Sequence, residues 1–294
     1  MIASTQYRYC AQLTAKAAGV LGKTADAAQY EALAEQILTG IREEYFTPKG
    51  RCAVPTQTGL LLSVKYGLSS DAGRIGDDLA NRLKLDGGML KTGFVGTPLL
   101  CPVLTAAGHG DCAFDLLLNE DYPGWLYAVK LGATTVWERW NSVGENGKIA
   151  ENGMNSLNHY AYGSIAQWLY QDVVGIAPAL PGFRRARLAP LMNWKLGMAE
   201  AKYHSAAGCW KAGWEVQQNG DISYHCTVPF GCTAELNLPY GGGNYELEPG
   251  QFQITYTPNI PLCTVYNTKI SLGELLAVPK VKAALRRIMP QIVQ

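Results

Sequence analysis

Apolar residues in the first two-thirds of the chain recur every three or four positions, which is the spacing of helices with one buried face. The spacing predicts a helix over Ile2–Leu21, with Tyr9, Leu13, Ala17 and Leu21 on one side and Gly22-Lys23 as its stop. A second is expected over Asp26–Tyr45, burying Tyr30, Leu33, Ile37, Leu38 and Ile41, and closed by Thr47-Pro48. Further helical stretches read over Thr56–Tyr66, Asp71–Leu85, Pro98–Ala107, Cys112–Leu118 and Asn155–Val174. Gly- and Pro-bearing strings (DGG, VGTP, AAGHG, DYPG) separate them as turns. Short helices in succession predict stacked antiparallel hairpins. They follow no strict repeat, so a regular solenoid is not expected.

The period changes near "GIAPALPGFRRARLAP", a Pro-rich crossing in which Arg184, Arg185 and Arg187 read as a solvated strand edge. Beyond it, Ile222, Tyr224, Cys226 and Val228 alternate with Ser223, His225 and Thr227, as in a strand with one buried side. Asn219-Gly220 is a hairpin turn signal. Ala234, Leu236 and Leu238 continue the alternation, and Phe252, Ile254 and Tyr256 mark a further strand. The expectation is an antiparallel β-sandwich of roughly 80 residues, then a terminal amphipathic helix over Leu272–Met289 packing back on the body. Cys209, Trp210 and Trp214 read as its core.

Composition narrows the function classes. The 294 residues are 48% hydrophobic and 17% charged with a net charge of +1, and no long basic or acidic run occurs. Nucleic acid and anionic membranes are therefore not expected partners. The longest apolar runs, such as Pro98–Gly108, are too short to span a bilayer. The opening residues have no continuous apolar core and read as an ordinary amphipathic helix rather than a targeting peptide. Eight cysteines, none spaced C-x-x-C, fit reduced thiols and a cytoplasmic setting. Four histidines without ligand spacing give no reason to expect a metal or another cofactor.

The chemistry concentrates in "GATTVWERW", where Glu138 sits between Trp137 and Trp140 with Arg139 beside it. Two readings are open. One is a buried ion pair in an aromatic nest. The other is a carboxylate that moves a proton on a hydroxylated ring, with aromatics against the ring's C–H faces.

The strings "TGFVGTPLLCPVLTAAGHGDCAFDLLL", "DYPGWLYAVKLGATTVWERWNS", "MNSLNHYAYGSIAQWLYQDVVGI" and "PGFRRARLAP" occur in this order. Together they resemble the C-terminal part of the bacterial α-L-rhamnosidase family, and the ends of the chain resemble it too. The resemblance implies a partial (α/α) toroid of helical hairpins over residues 1–178. It also implies an antiparallel β-sandwich over 179–268 and a terminal helix over 269–294. The implied reaction is inverting hydrolysis of terminal α-L-rhamnosides, which needs an acid and a base about 6.5–9.5 Å apart.

By the same resemblance Glu138 matches the general base and His159, in "NSLNHYAYG", a sugar contact. Trp137 and Trp140 fit either stacking on a ligand or filling the toroid wall. Trp125 and Tyr127, in the "PGWLY" loop, are further substrate-side candidates, and Thr134 and Thr135 read as fixing the local backbone. The family's general acid lies in an upstream segment of the Arg-Asp-Glu-Arg type, which has no counterpart here. Asp121 is near the site in sequence but has no motif support as that acid.

The expected protein is thus about the last half of the toroid with its sandwich, holding the base without the acid. It could be a truncated product, one subunit of a split enzyme or a piece made for expression. Expected partners are an α-L-rhamnoside and either the missing N-terminal half or a second copy. A non-catalytic rhamnoside-binding module and a purely structural remnant are the alternatives.

Overall fold

The computed structural model describes residues 1–150, 153–260, 271–277 and 279–292. Helices α1 (Ile2–Val20) and α2 (Thr24–Tyr45) form the first hairpin. The buried side of α1 is not the one its larger residues predict. Thr5, Arg8, Ala11, Ala15 and Ala18 are buried, whereas Tyr9, Leu13 and Leu21 are exposed. Small side chains let α1 lie close against α2, and that close approach outweighs burial of the bulkier apolar row. Two arginines tie this hairpin to the next helix, α3 (Gln57–Lys65). Arg8 donates to the carbonyl of Tyr66 at 2.6 Å and Arg42 to that of Leu68 at 2.9 Å. Cations suit a helix C-terminus because its last carbonyls lack partners within the helix.

Two expected helix starts become caps. Thr56 Oγ1 accepts the Gly59 N–H ahead of α3, and Asp71 Oδ1 accepts the Arg74 N–H ahead of α4 (Ala72–Leu85). α5 (Thr97–Ala106) and α6 (Gly110–Leu117) make a third hairpin. The stretch read as the "PGWLY" loop instead opens a short helix, α7 (Trp125–Lys130).

The helix expected from Asn155 begins only at Ala161, with a 3-10 turn (Ala161–Ser164) leading into α8 (Ile165–Trp168) and a π turn (Leu169–Val173). Upstream, Ser156 Oγ accepts the Asn158 N–H, a side-chain bond that competes with helix formation.

Gly175 turns the chain from helix to sheet at φ 85°, where a Cβ would lie 2.4 Å from the Pro190 nitrogen. Only glycine fits both the conformation and the approach. One sheet orders β1 (Ile176–Pro178), β2 (Arg185–Leu188), β6 (Thr233–Leu238) and β7 (Gly243–Leu247). The other orders β3 (Met198–Ser205), β4 (Gly208–Val216), β5 (Ile222–Val228) and β8 (Gly250–Tyr256).

The pairs are antiparallel except β2–β6, which run parallel because the chain crosses through the second sheet between them. β2 is therefore an interior strand, not the edge read from its arginines. Arg185 lies on its outer side, bonded to both carboxylate oxygens of Glu246 at 2.9 Å.

One core runs from the helices into the sheets, through Leu60, Phe114, Trp168, Trp210, Trp214 and Tyr224. Trp214 Nε1–H donates to the Val173 carbonyl at 2.8 Å, bonding the sandwich to the π turn. Cys209 is only half-buried, unlike its neighbour Trp210. The seven cysteines among the described residues are free, and Cys263 lies outside them, as does the end of the expected sandwich. Within the expected terminal helix the described residues form α9 (Leu272–Ala277) and α10 (Pro279–Ile288). Among the described residues no helix is long and apolar enough to cross a membrane.

Asp86, just after α4, is 3% exposed. It accepts bonds from Arg82 (2.9 and 2.6 Å), Lys91 (3.0 Å) and Gln57 (2.9 Å). Gln57 also donates to the Met89 carbonyl and accepts the Lys91 N–H, so the cluster pins the loop that follows. The Arg82 bonds, helped by Lys91 and Gln57, hold the Asp86 carboxyl well below the usual range against the upward push of burial. A depressed carboxyl contributes stability above its unfolded pKa and loses it as the pH falls through the folded one. Asp86→Asn is therefore expected to lower stability by about 2 kcal/mol near neutral pH. The gap from the parent should close on acidification. Urea unfolding across that range measures both, and a variant as stable as its parent at neutral pH would overturn the assignment.

Candidate active site

After α7 the chain reverses at Gly132 (φ 84°) and runs irregularly through Trp140. The segment carrying His159 returns beside it. Glu138 N–H donates to the Ser156 carbonyl at 2.9 Å, and His159 N–H donates to the Val136 carbonyl at 2.7 Å. Thr135 Oγ1–H adds a bond to the Leu157 carbonyl.

A second clamp closes the loop below Glu138. Buried Ser142 accepts the Arg139 N–H at 3.0 Å and donates to Asn155 Oδ1 at 2.6 Å, while Asn155 Nδ2 returns a bond to the Ser142 carbonyl at 3.1 Å. The segments that carry Glu138 and His159 are thus joined through main-chain bonds.

The imidazole of His159 accepts the Ala161 N–H on Nδ1 at 3.2 Å. Its neutral form therefore carries the proton on Nε2, which is left to donate. Phe94 stacks on the ring at 4.9 Å between centroids and Tyr160 at 5.1 Å. Phe94 comes from the loop pinned by Asp86, so a charged cluster outside the site helps place a ring inside it.

Glu138 is half-buried. Among the described residues it makes no ion pair with Arg139, so the ion-pair reading of the motif does not hold. Burial pushes the Tyr162 phenol up, and the charges of Tyr122 and Glu138 add to the shift.

Tyr162 lies face to face with Trp140 (3.9 Å, 5°), and Trp125 meets Trp140 edge-on at 5.3 Å. Trp125 Nε1–H bonds the Tyr162 carbonyl at 2.9 Å. Trp140 Nε1–H is buried without a partner among the described residues. These rings, with Trp137, Thr134, Thr135 and Arg139, line a cavity of about 230 Å³.

Glu138 and His159 do not line that cavity. Tyr127 is buried against Tyr122 and also lies off it. Asp121 is exposed in a turn whose backbone is held by the Asn119 side chain. Phe94, Tyr160 and Tyr162 were not singled out from sequence, although each lies inside one of the strings that carry the resemblance.

Comparison with known proteins identifies the family of the chain. Residues 1–173 match the model of the bacterial alpha-L-rhamnosidase 6 hairpin glycosidase domain, and residues 175–253 that of the bacterial alpha-L-rhamnosidase C-terminal domain. An alpha-L-rhamnosidase of Alteromonas sp. (strain LOR) is 38% identical over 247 residues, covering 81% of this chain and 26% of the relative. One of Formosa agariphila is 37% identical over 242 residues, with the same coverage of each.

The solved Streptomyces avermitilis alpha-L-rhamnosidase, complexed with L-rhamnose, superposes with a TM-score of 0.81 at 33% identity, over 87% of this chain and 26% of that one. The native Aspergillus terreus enzyme gives 0.80 at 30% identity, over 84% and 29%. The chain thus spans about a quarter of the length of the curated relatives it matches. With both of the family's characteristic regions matched in sequence and the hairpins and sandwich matched in space, the chain belongs to the bacterial α-L-rhamnosidase family.

Proposed function

We propose that this chain carries the general-base side of an inverting α-L-rhamnosidase site. In this reading Glu138 takes a proton from the attacking water, and His159 holds a sugar hydroxyl through Nε2–H. The single observation that supports it is the pair of main-chain bonds joining the Glu138 segment to the His159 segment, so that the two motif positions lie on neighbouring stretches of chain. A base must come within hydrogen-bond reach of the proton it removes, so the spacing of these segments matters more than either residue alone. The exposed ring of Tyr160 stacked on His159 suits a sugar whose C6 is a methyl group. Departure of the sugar's partner oxygen needs a second carboxyl acting as acid, and no residue of this chain is assigned that role.

Two results are expected. In an enzyme form that also supplies the acid, Glu138→Gln lowers kcat about 10²–10⁴-fold with rhamnose binding retained, because the amide cannot accept the proton. His159→Ala mainly raises KM. Steady-state kinetics on an aryl α-L-rhamnoside separate the two, and near-normal kcat for the Gln variant would sink the assignment.

The second result concerns the chain by itself, which should turn over that substrate far more slowly than when mixed with a separately expressed acid-bearing half. Robust turnover by the isolated chain would mean an unassigned acid lies within it, and Asp121 is then the first residue to replace. Rhamnose binding without turnover in either setting would favour a binding module instead.

A further inference from the structure

A second cleft lies where the helical region meets β3, the outer strand of its sheet among the described residues. Its volume is about 510 Å³, and it is lined by Leu169, Tyr170 and Val174 on one side and Glu200, Ala201 and Lys202 on the other. Tyr170 (40% exposed) and the neighbouring Tyr203 (38%) meet edge-on at 6.4 Å. Phe183 backs Tyr203 at 4.6 Å.

Two unusual backbone conformations converge here. Tyr170 is presented by the π turn Leu169–Val173, and Phe183 sits at φ 60°, a region a bulky residue occupies only under strain. π turns and strained residues collect at functional sites, where the surroundings must hold them in place.

We propose that this cleft binds a pyranose ring of a glycoside, as a second site separate from Glu138 and His159; the choice of ligand rests on the rhamnosidase reading. Tyrosine rings offer flat apolar faces to sugar C–H groups and hydroxyl tips to sugar oxygens. Lys202 adds a donor at the rim, whereas the Glu200 carboxylate is turned away from it. Glu200 is held by a contact with His225 at 3.8 Å, reaching across β4 at Gly213, which has no side chain to block it. Among the described residues β3 pairs only with β4, so its outer edge offers backbone groups to hydroxyls. Charged side chains along that edge disfavour an added peptide strand, which leaves a small polyol ring as the better fit. A volume of this size takes one or two sugar units.

The test uses the chain labelled with 3-fluorotyrosine and titrated with methyl α-L-rhamnoside, methyl β-D-glucoside and cellobiose. Fluorine NMR follows the Tyr170 and Tyr203 signals, assigned through Tyr170→Phe and Tyr203→Phe. At least one sugar is expected to shift both signals saturably, with the response retained in His159→Ala and in Glu138→Gln. Tyr170→Ala or Tyr203→Ala should weaken it about tenfold. Tyr170 is the safer variant if loss of packing on Phe183 unfolds the other.

No saturable shift with any of the three sugars would overturn the second site while leaving the Glu138 assignment standing. Loss of the response in His159→Ala would also overturn it, by reducing both responses to one site. Persistence of the response in His159→Ala alongside near-normal turnover by Glu138→Gln would fail the catalytic reading alone.

Discussion

A loop that is neither helix nor sheet must still satisfy its backbone, and the placement of Glu138 depends on how residues 134–150 and 153–159 do so. Buried N–H and carbonyl groups without partners are costly, so irregular segments survive only where something answers them. Here the partners come from the same stretch of chain: Ser156 for Glu138, Val136 for His159, and the reciprocal Ser142–Asn155 pair for the bend between. Because each bond is made to the other segment, neither Glu138 nor His159 can shift without disturbing its counterpart. The aromatic rings then pack around a backbone already fixed.

Support for the site extends outward in layers of decreasing locality. Asp86 and Gln57 fix the loop that delivers Phe94 to His159. Helices α3 to α6 share one core with the sheets, whereas α2 packs Leu38 and Ile41 with Leu68 in a separate cluster, and Trp214 anchors the sandwich to the π turn at the end of the helical region. Changes in the sandwich can therefore reach the helices through packing rather than through any direct contact with the carboxylate.

Periodicity made the hairpins and strands legible because each buries one side against a neighbour, and burial leaves a repeating mark. It failed where another force decides. Alanines set the buried side of α1, since closeness to α2 favours small residues that a search for bulky apolar positions ranks low. Asn155–Tyr160 carries helix-like spacing, yet its side chains and carbonyls are committed to the loop opposite, which no local rule registers. The parallel β2–β6 pair depends on a long crossing of the chain and leaves no local signature. Glu138 and His159 stood out through the strings around them. Phe94 and Tyr162 lay in equally telling strings but read as ordinary aromatics, because their importance is one of contact rather than chemistry.

The tryptophans flanking Glu138 can now be weighed by which of their surfaces are already occupied. Trp140 has one face against Tyr162 and is met edge-on by Trp125, and Trp137 is only 7% exposed. Aromatic faces packed in this way stiffen a wall but leave little area for a sugar. Tyr160, 86% exposed and stacked on His159, keeps far more surface free beside the imidazole's donor. A ring held at His159 would therefore meet Tyr160 and Phe94 before it met either tryptophan. The tryptophans would act on Glu138 indirectly, by limiting the volume in which its segment can move. Of the two roles open to the tryptophans, their packing favours filling the wall, and the ring surface left free near His159 is that of Tyr160.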